Sequence, residues 1–176
     1  KYHHFDMVVL DAPATGQGIS LLATPSSVVK SVKSGPIHKN AGDIQGMLEN
    51  PSHTAINLVA LPEEMPANEA IEMHKQLFQE LRLPEGKLFV NRIVDNPFTQ
   101  NDDLIIKEKV QARMNNRSNL GAVLDAVEWR KQSAAHHHFY LEKLRYNISK
   151  NPVMVPYIFE HDFGLEQIKL LEKRWR

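Results

Sequence analysis

The 176-residue chain balances 21 lysine and arginine residues against 21 aspartate and glutamate residues, and it contains no cysteine. Balanced charge removes the broad electrostatic attraction on which nucleic-acid binding depends, and the missing thiols exclude a disulfide framework and cysteine-based zinc sites. The longest clean apolar runs, Met7–Leu10 and Leu58–Leu61, fall far short of the ~20 residues that cross a bilayer, so the expectation is a soluble, cytoplasmic protein without a transmembrane segment.

In chain order, residues 5–10, FDMVVL, read as a buried strand that ends on Asp11 and runs into a turn containing two glycines. A helix is expected from Gly18 to about Lys33, and another over 38–49, stopped before Pro51. Ala55–Leu61 reads as the second strand. From Pro66 to Leu83, Ala70, Ile71, Leu77, Phe78 and Leu81 form an apolar stripe, which predicts an amphipathic helix opened by a proline and ended by Pro84 and Gly86. Lys87–Val94 is the third strand. Helices are expected over 102–115 and 119–146, the longer with Leu120, Val123, Val127, Ala134, Leu141 and Leu144 on one side. Val153–Tyr157 forms a fourth strand, followed by a last amphipathic helix over 164–173. The strands lack clear alternation, as when helices cover both faces of a parallel sheet. Strand and helix alternate, which predicts a single α/β domain with an open, mainly parallel sheet flanked by helices.

Ligands of open parallel sheets sit at the carboxyl ends of the strands, where this reading places Asp11. A carboxylate there suits magnesium, which prefers oxygen ligands and keeps its water. Thr15, Gly16, Gln17 and Gly18 offer hydroxyl, amide and backbone N–H groups near a helix amino terminus, where phosphate oxygens can be met. The plainer reading is a turn capped by Asp11 and bent by its glycines. Position 21 is Leu, so the third glycine of a dinucleotide fingerprint is missing. No Gly-x-x-x-x-Gly-Lys-Ser/Thr loop occurs either, since Gly86-Lys87 is followed by Leu88.

Residues 10–25, LDAPATGQGISLLATP, resemble the switch II segment of the ArsA-type anion-transporting ATPases. That family includes the arsenite-pump ATPase and the ATPase that delivers tail-anchored membrane proteins. The family form is an aspartate, a proline-containing triplet and then Thr-Gly-His. LVALPEEMPANE at 58–69, LFVNRIV at 88–94 and VPYIFEHDFGLEQI at 155–168 are similar to further stretches of the family, so the resemblance spreads over nearly the whole chain.

The resemblance implies a P-loop-NTPase-like fold and a switch ATPase using ATP and Mg2+, with a homodimer in the full-length form and a transported ion or protein client. It makes Asp11 the switch II aspartate, reaching magnesium through water, with Thr15 and Gly16 in the loop that senses the γ-phosphate. Gln17 replaces the commoner histidine; an amide orients water but carries no proton away near neutral pH. Asn91 matches the adenine-contacting asparagine, with Arg92 beside the base. Glu63, Glu64 and Glu69 lie in a loop near the nucleotide or the dimer face, although helix capping explains them as well. The family's phosphate-binding loop, signature lysine and switch I aspartate would lie upstream of Lys1. The expectation is therefore the carboxyl-terminal part of an ATPase domain, its sheet incomplete at the amino-terminal side and its apolar surface exposed, inactive by itself, with a helical insertion over about 98–148.

His136, His137 and His138 do not read as a metal site, because consecutive helical residues point ~100° apart. A mixed face is expected, with His137 or His138 partly packed and His136 solvated, while His3-His4 form a second pair. His74, on the apolar stripe of its helix, is expected to pack with a satisfied nitrogen. The rival function is a non-catalytic protein-binding or chaperone module using the helices over 98–146, with Leu104, Ile105, Ile106, Val110 and Met114 as contributors to its surface.

Overall fold

A computed structural model of the chain describes residues 5–99, 101, 102, 104–106, 108, 120–160 and 162–174. The architecture is α/β, with an open three-stranded sheet of order β1-β2-β3 and helices between the strands. Its elements are α1 (Thr15–Ser31), α2 (Pro36–Glu49), β1 (Ile56–Ala60), α3 (Glu64–His74), β2 (Glu85–Ile93), α4 (Leu120–Asn147), β3 (Val153–Pro156) and α5 (Leu165–Arg174). The central strand β2 pairs with β3 in parallel, Phe89 opposite Val153 and Val90 opposite Met154. This layout is in keeping with the P-loop-NTPase-like class. Among the described residues, no helix is long and apolar enough to cross a membrane.

The chain forms two compact units, the first taking in the described residues up to Ile56 together with Glu72–Gly86. Here α1 packs on α2. Pro36 opens α2 behind Gly35, whose φ of 100° is reached at low cost only by glycine. Pro25 sits buried inside α1 and withholds the N–H that the preceding turn would use. Nearby, the Ser20, Thr24 and Ser27 hydroxyls donate back to the carbonyls of Gly16, Ser20 and Ala23 at 2.9, 2.6 and 3.1 Å, a pattern associated with helix bending. Ala41, Leu77 and Leu83 are buried in this unit. Past His74 the helix widens into a π-helical turn over Lys75–Glu80, closed by the Leu81 amide donating to the Gln76 carbonyl at 2.9 Å.

The second unit comprises Asn57–Ile71 and the described residues from Lys87 onward. Leu58 and Ala60 from β1, Leu88, Val90 and Ile93 from β2, and Val155 from β3 form its sheet core. Ala67 and Ala70 of α3 and Leu124, Tyr140, Leu141 and Leu144 of α4 are also buried. The Lys143 ammonium donates to Asn68 Oδ1 at 2.6 Å, joining α4 to α3. At Thr99 the backbone N–H donates to the Asp102 carboxylate at 2.8 Å and the hydroxyl accepts from the Asp102 amide at 3.3 Å. This reciprocal arrangement is that of a helix-capping box, and residues 101, 102, 104–106 and 108 are helical. The Thr99 amide, then its hydroxyl, hold the Asp102 carboxyl below its ordinary pKa.

Three expectations need correction. Residues 5–10 form no strand: the segment is irregular, and Phe5, Met7, Val8, Val9 and Leu10 are 69–84% exposed. Apolar composition favours burial, but a strand exists only where a neighbour takes its backbone hydrogen bonds, and the described sheet consists of β1, β2 and β3 alone. Second, β1 is not covered on both faces, because Val59, between buried Leu58 and Ala60, is 67% exposed. Third, the stripe drawn along α4 is core only in part: Leu141 and Leu144 are buried, whereas Val123 is exposed. The expected helix over 102–115 lies partly outside the described residues, as do Val110, Met114, His3 and His4.

Candidate functional site

The residues singled out from the sequence fall into two groups. Asp11, Thr15, Gly16 and Gln17 belong to the first unit, and Asn91 and Arg92 to the second. Asp11 is exposed on the irregular segment ahead of α1, so no strand end presents it. It lines neither of two surface hollows of this unit, one along the Ser20, Thr24, Ser27 and Val28 face of α1 and one among Leu22, Pro25, Leu48, Leu81 and Leu83.

The turn into α1 is built closely. Ala14 precedes the helix without a side-chain cap, and its carbonyl accepts from the amides of Gln17 and Gly18 at 3.1 and 3.4 Å. The N–H groups of Thr15 and Gly16 therefore lie ahead of the first bonded turn, where a helix offers its unsatisfied donors. Gly18 is buried, and a Cβ there would lie 2.7 Å from the Pro13 carbonyl oxygen. Glycine is thus required at position 18 by close packing, whereas Gly16 faces open space. The two glycines have different jobs.

The carboxyl end of β2 carries a second constructed feature. The register with β3 shifts between Val90 and Ile93, a bulge, and Arg92 within it has φ of 59°. An L-residue in that region costs roughly 1–2 kcal/mol, and such strain concentrates where a strand end is aimed for use. Asn91 Oδ1 accepts from the Arg92 amide at 2.9 Å, which bridges the bulge locally. A carbonyl oxygen has a second lone pair, and the amide nitrogen of Asn91 supplies two donors, so the group retains the donor-acceptor pair an adenine edge requires. The Arg92 side chain is exposed.

Beyond the bulge, three segments of the second unit converge. The Tyr157 amide donates to the Ile93 carbonyl at 2.8 Å. Arg130 Nε on α4 donates to the Asp95 carbonyl at 3.2 Å, and its guanidinium lies 4.7 Å from the centre of the Phe159 ring. The Val94 amide donates to His137 Nδ1 at 3.0 Å. Burial pushes the His137 pKa below its ordinary value; the Glu63 carboxylate acts in the opposite direction and His136 adds a smaller downward push.

The packing expected of His137 and His74, and the exposure expected of His136, are observed. His137 is half-buried while His136 and His138 are exposed. His74 Nε2 lies 3.0 Å from Glu85 Oε1, and its ring meets Phe78 edge-on at 5.1 Å. Among the described residues, no three His, Asp or Glu side chains converge as metal ligands. A lone exposed carboxylate such as Asp11 fits magnesium only as a water-bridged partner of an ion held chiefly by other oxygens, a mode magnesium tolerates. The link between His137 and Val94 went unrecognised in the sequence, since nothing in a His-His-His run specifies an amide 43 residues away.

No family model matches the chain. Over 88 residues it is 36% identical to ATPase BagA of Mycobacterium tuberculosis (strain H37Rv) and, equally, to a candidate ATPase of Mycobacterium bovis. Each match takes in 50% of this chain but only 25% of the relative. The chain is thus similar, over half its length, to a quarter of proteins named as ATPases.

Proposed function

We propose that the chain is part of a magnesium-dependent switch ATPase of the ArsA type, in which ATP hydrolysis by the full-length protein is coupled to transport or client delivery. The observation that carries this reading is the 36% identity to proteins named as ATPases. It is supported by the family-like stretches at 10–25, 58–69, 88–94 and 155–168, and by the strained bulge that presents Asn91 and Arg92. In this reading the adenine is met by the Asn91 amide, with Arg92 beside it. The amides of Thr15 and Gly16 and the Thr15 hydroxyl donate to phosphate oxygens, and Gln17 orients water without taking its proton. Asp11 holds a water of the magnesium shell; the bound ion would neutralise charge on the phosphates. The chain has no Gly-x-x-x-x-Gly-Lys-Ser/Thr loop, so in this proposal residues outside these 176 cradle the β- and γ-phosphates, and the full-length protein works as a homodimer.

The test is a nucleotide titration of the full-length protein with and without magnesium, repeated for Asp11→Ala. The expected result is a roughly 10–100-fold loss of magnesium-dependent ATP affinity. Affinity that is unchanged by the substitution, or independent of magnesium, overturns the role given to Asp11. Exposed Leu104, Ile105, Trp129 and Phe139 favour a second reading, a non-catalytic module that binds protein clients through residues 98–146. It would stand in place of the first if the full-length protein bound no nucleotide.

A further inference from the structure

We propose that His137 is a proton-operated latch, whose neutral ring holds α4 to the end of β2 by accepting the Val94 amide hydrogen and whose protonated ring lets that contact go. The inference does not rest on the ATPase reading, because every group in it is seen within the second unit alone.

The geometry restricts the protonation state. Val94 N–H is a donor 3.0 Å from His137 Nδ1, so Nδ1 must present a lone pair and the neutral ring must carry its proton on Nε2. Val94 is 4% exposed, which leaves its amide little access to a water acceptor. Once Nδ1 gains a proton, two N–H groups face one another and a buried backbone donor loses its partner, a costly state. Opening the contact lets water reach both groups.

The surroundings decide the direction and the extent. Among the described groups around the latch, Glu63, ahead of α3, favours the cation, while burial and His136 on the same helix oppose it, and the balance is downward. The Asp95 carboxylate lies next in sequence to Val94. A histidine whose folded pKa is depressed contributes stability that is complete above the unfolded value of 6.5 and is lost as pH falls through the lower folded value. Arg130 supplies a second tie that does not involve His137: its Nε holds the Asp95 carbonyl, one residue beyond Val94, and its guanidinium lies over Phe159. Acidification therefore frees one hydrogen bond while its neighbour persists, so the expected response is local opening and not global unfolding.

The experiment is amide hydrogen exchange at Val94, read by NMR and corrected for intrinsic exchange, in the wild type, His137→Asn and His137→Ala. In the wild type, protection should fall roughly tenfold between about pH 8 and about pH 5, while ring nitrogen shifts at the higher pH report a bare Nδ1. In His137→Asn the introduced amide oxygen stands near the place of Nδ1 and does not titrate, so protection should hold at both pH values. His137→Ala should leave Val94 unprotected at both. The proposal is overturned if wild-type protection is pH-independent, if His137→Asn shows the same fall as the wild type, or if Nδ1 carries the proton at the higher pH. Should the alanine variant fail to fold, the comparison of the wild type with His137→Asn still decides.

Discussion

Replacing Gly18 with alanine would put a methyl carbon 2.7 Å from the Pro13 carbonyl oxygen, well inside the ~3.3–3.6 Å at which carbon and a carbonyl oxygen normally rest. The obstacle is backbone, so no side chain can rotate aside, and the turn over Pro13 and Ala14 must move. Overpacking of this kind costs roughly 1–3 kcal/mol. Alanine also improves helix propensity by about 0.8–1.0 kcal/mol, which partly hides the clash. Gly42 supplies the control, because it lies inside α2 and an added Cβ meets nothing within 4 Å. Propensity gains in the two variants cancel to first order, so their difference isolates the steric cost. Gly18→Ala should therefore be less stable than Gly42→Ala by ~1–3 kcal/mol, or roughly 2–12 °C in Tm for a chain of this size. Thermal melts followed by circular dichroism, with urea titrations alongside, measure this. Equal or higher stability of Gly18→Ala would refute the reasoning, showing that the turn ahead of α1 yields freely.

Leu144 is 0% exposed in the second unit, so Leu144→Ala should cost about 2–5 kcal/mol by lost burial and a residual cavity. A urea titration showing less than about 1 kcal/mol would mean that α4 collapses into the space or contributes little packing there. Arg92→Gly removes an αL cost of roughly 1–2 kcal/mol and adds about 0.5–1 kcal/mol of unfolded-chain freedom. The expected outcome is a net stabilisation of about 0–1.5 kcal/mol, read from the same titration, and a clear destabilisation would show that the Arg92 side chain does more for the fold than its backbone strain costs.

Much of the layout was legible in local pattern. Short apolar runs bounded by turn residues located β1, β2 and β3 to within a residue or two, and the long periodic segment located α4. The position of His74 on an apolar stripe foretold a packed ring, and the structure adds its Glu85 partner. Position 18 looked like one of two interchangeable turn glycines; only the approach of the Pro13 carbonyl separates it from Gly16.

What the amino-acid sequence determined by itself was where β1, β2, β3 and α4 form, because those choices rest on periodicity, proline and glycine, all read within a few residues. Tertiary structure alone decided which apolar segments found partners. Residues 5–10 have the composition of a strand yet lie exposed without a ladder, while the bulge at Arg92 and the tie of Val94 to His137 arise at the carboxyl end of β2. Those features depend on hydrogen-bond partners brought from distant parts of the chain, and a partner in space leaves no imprint on local periodicity.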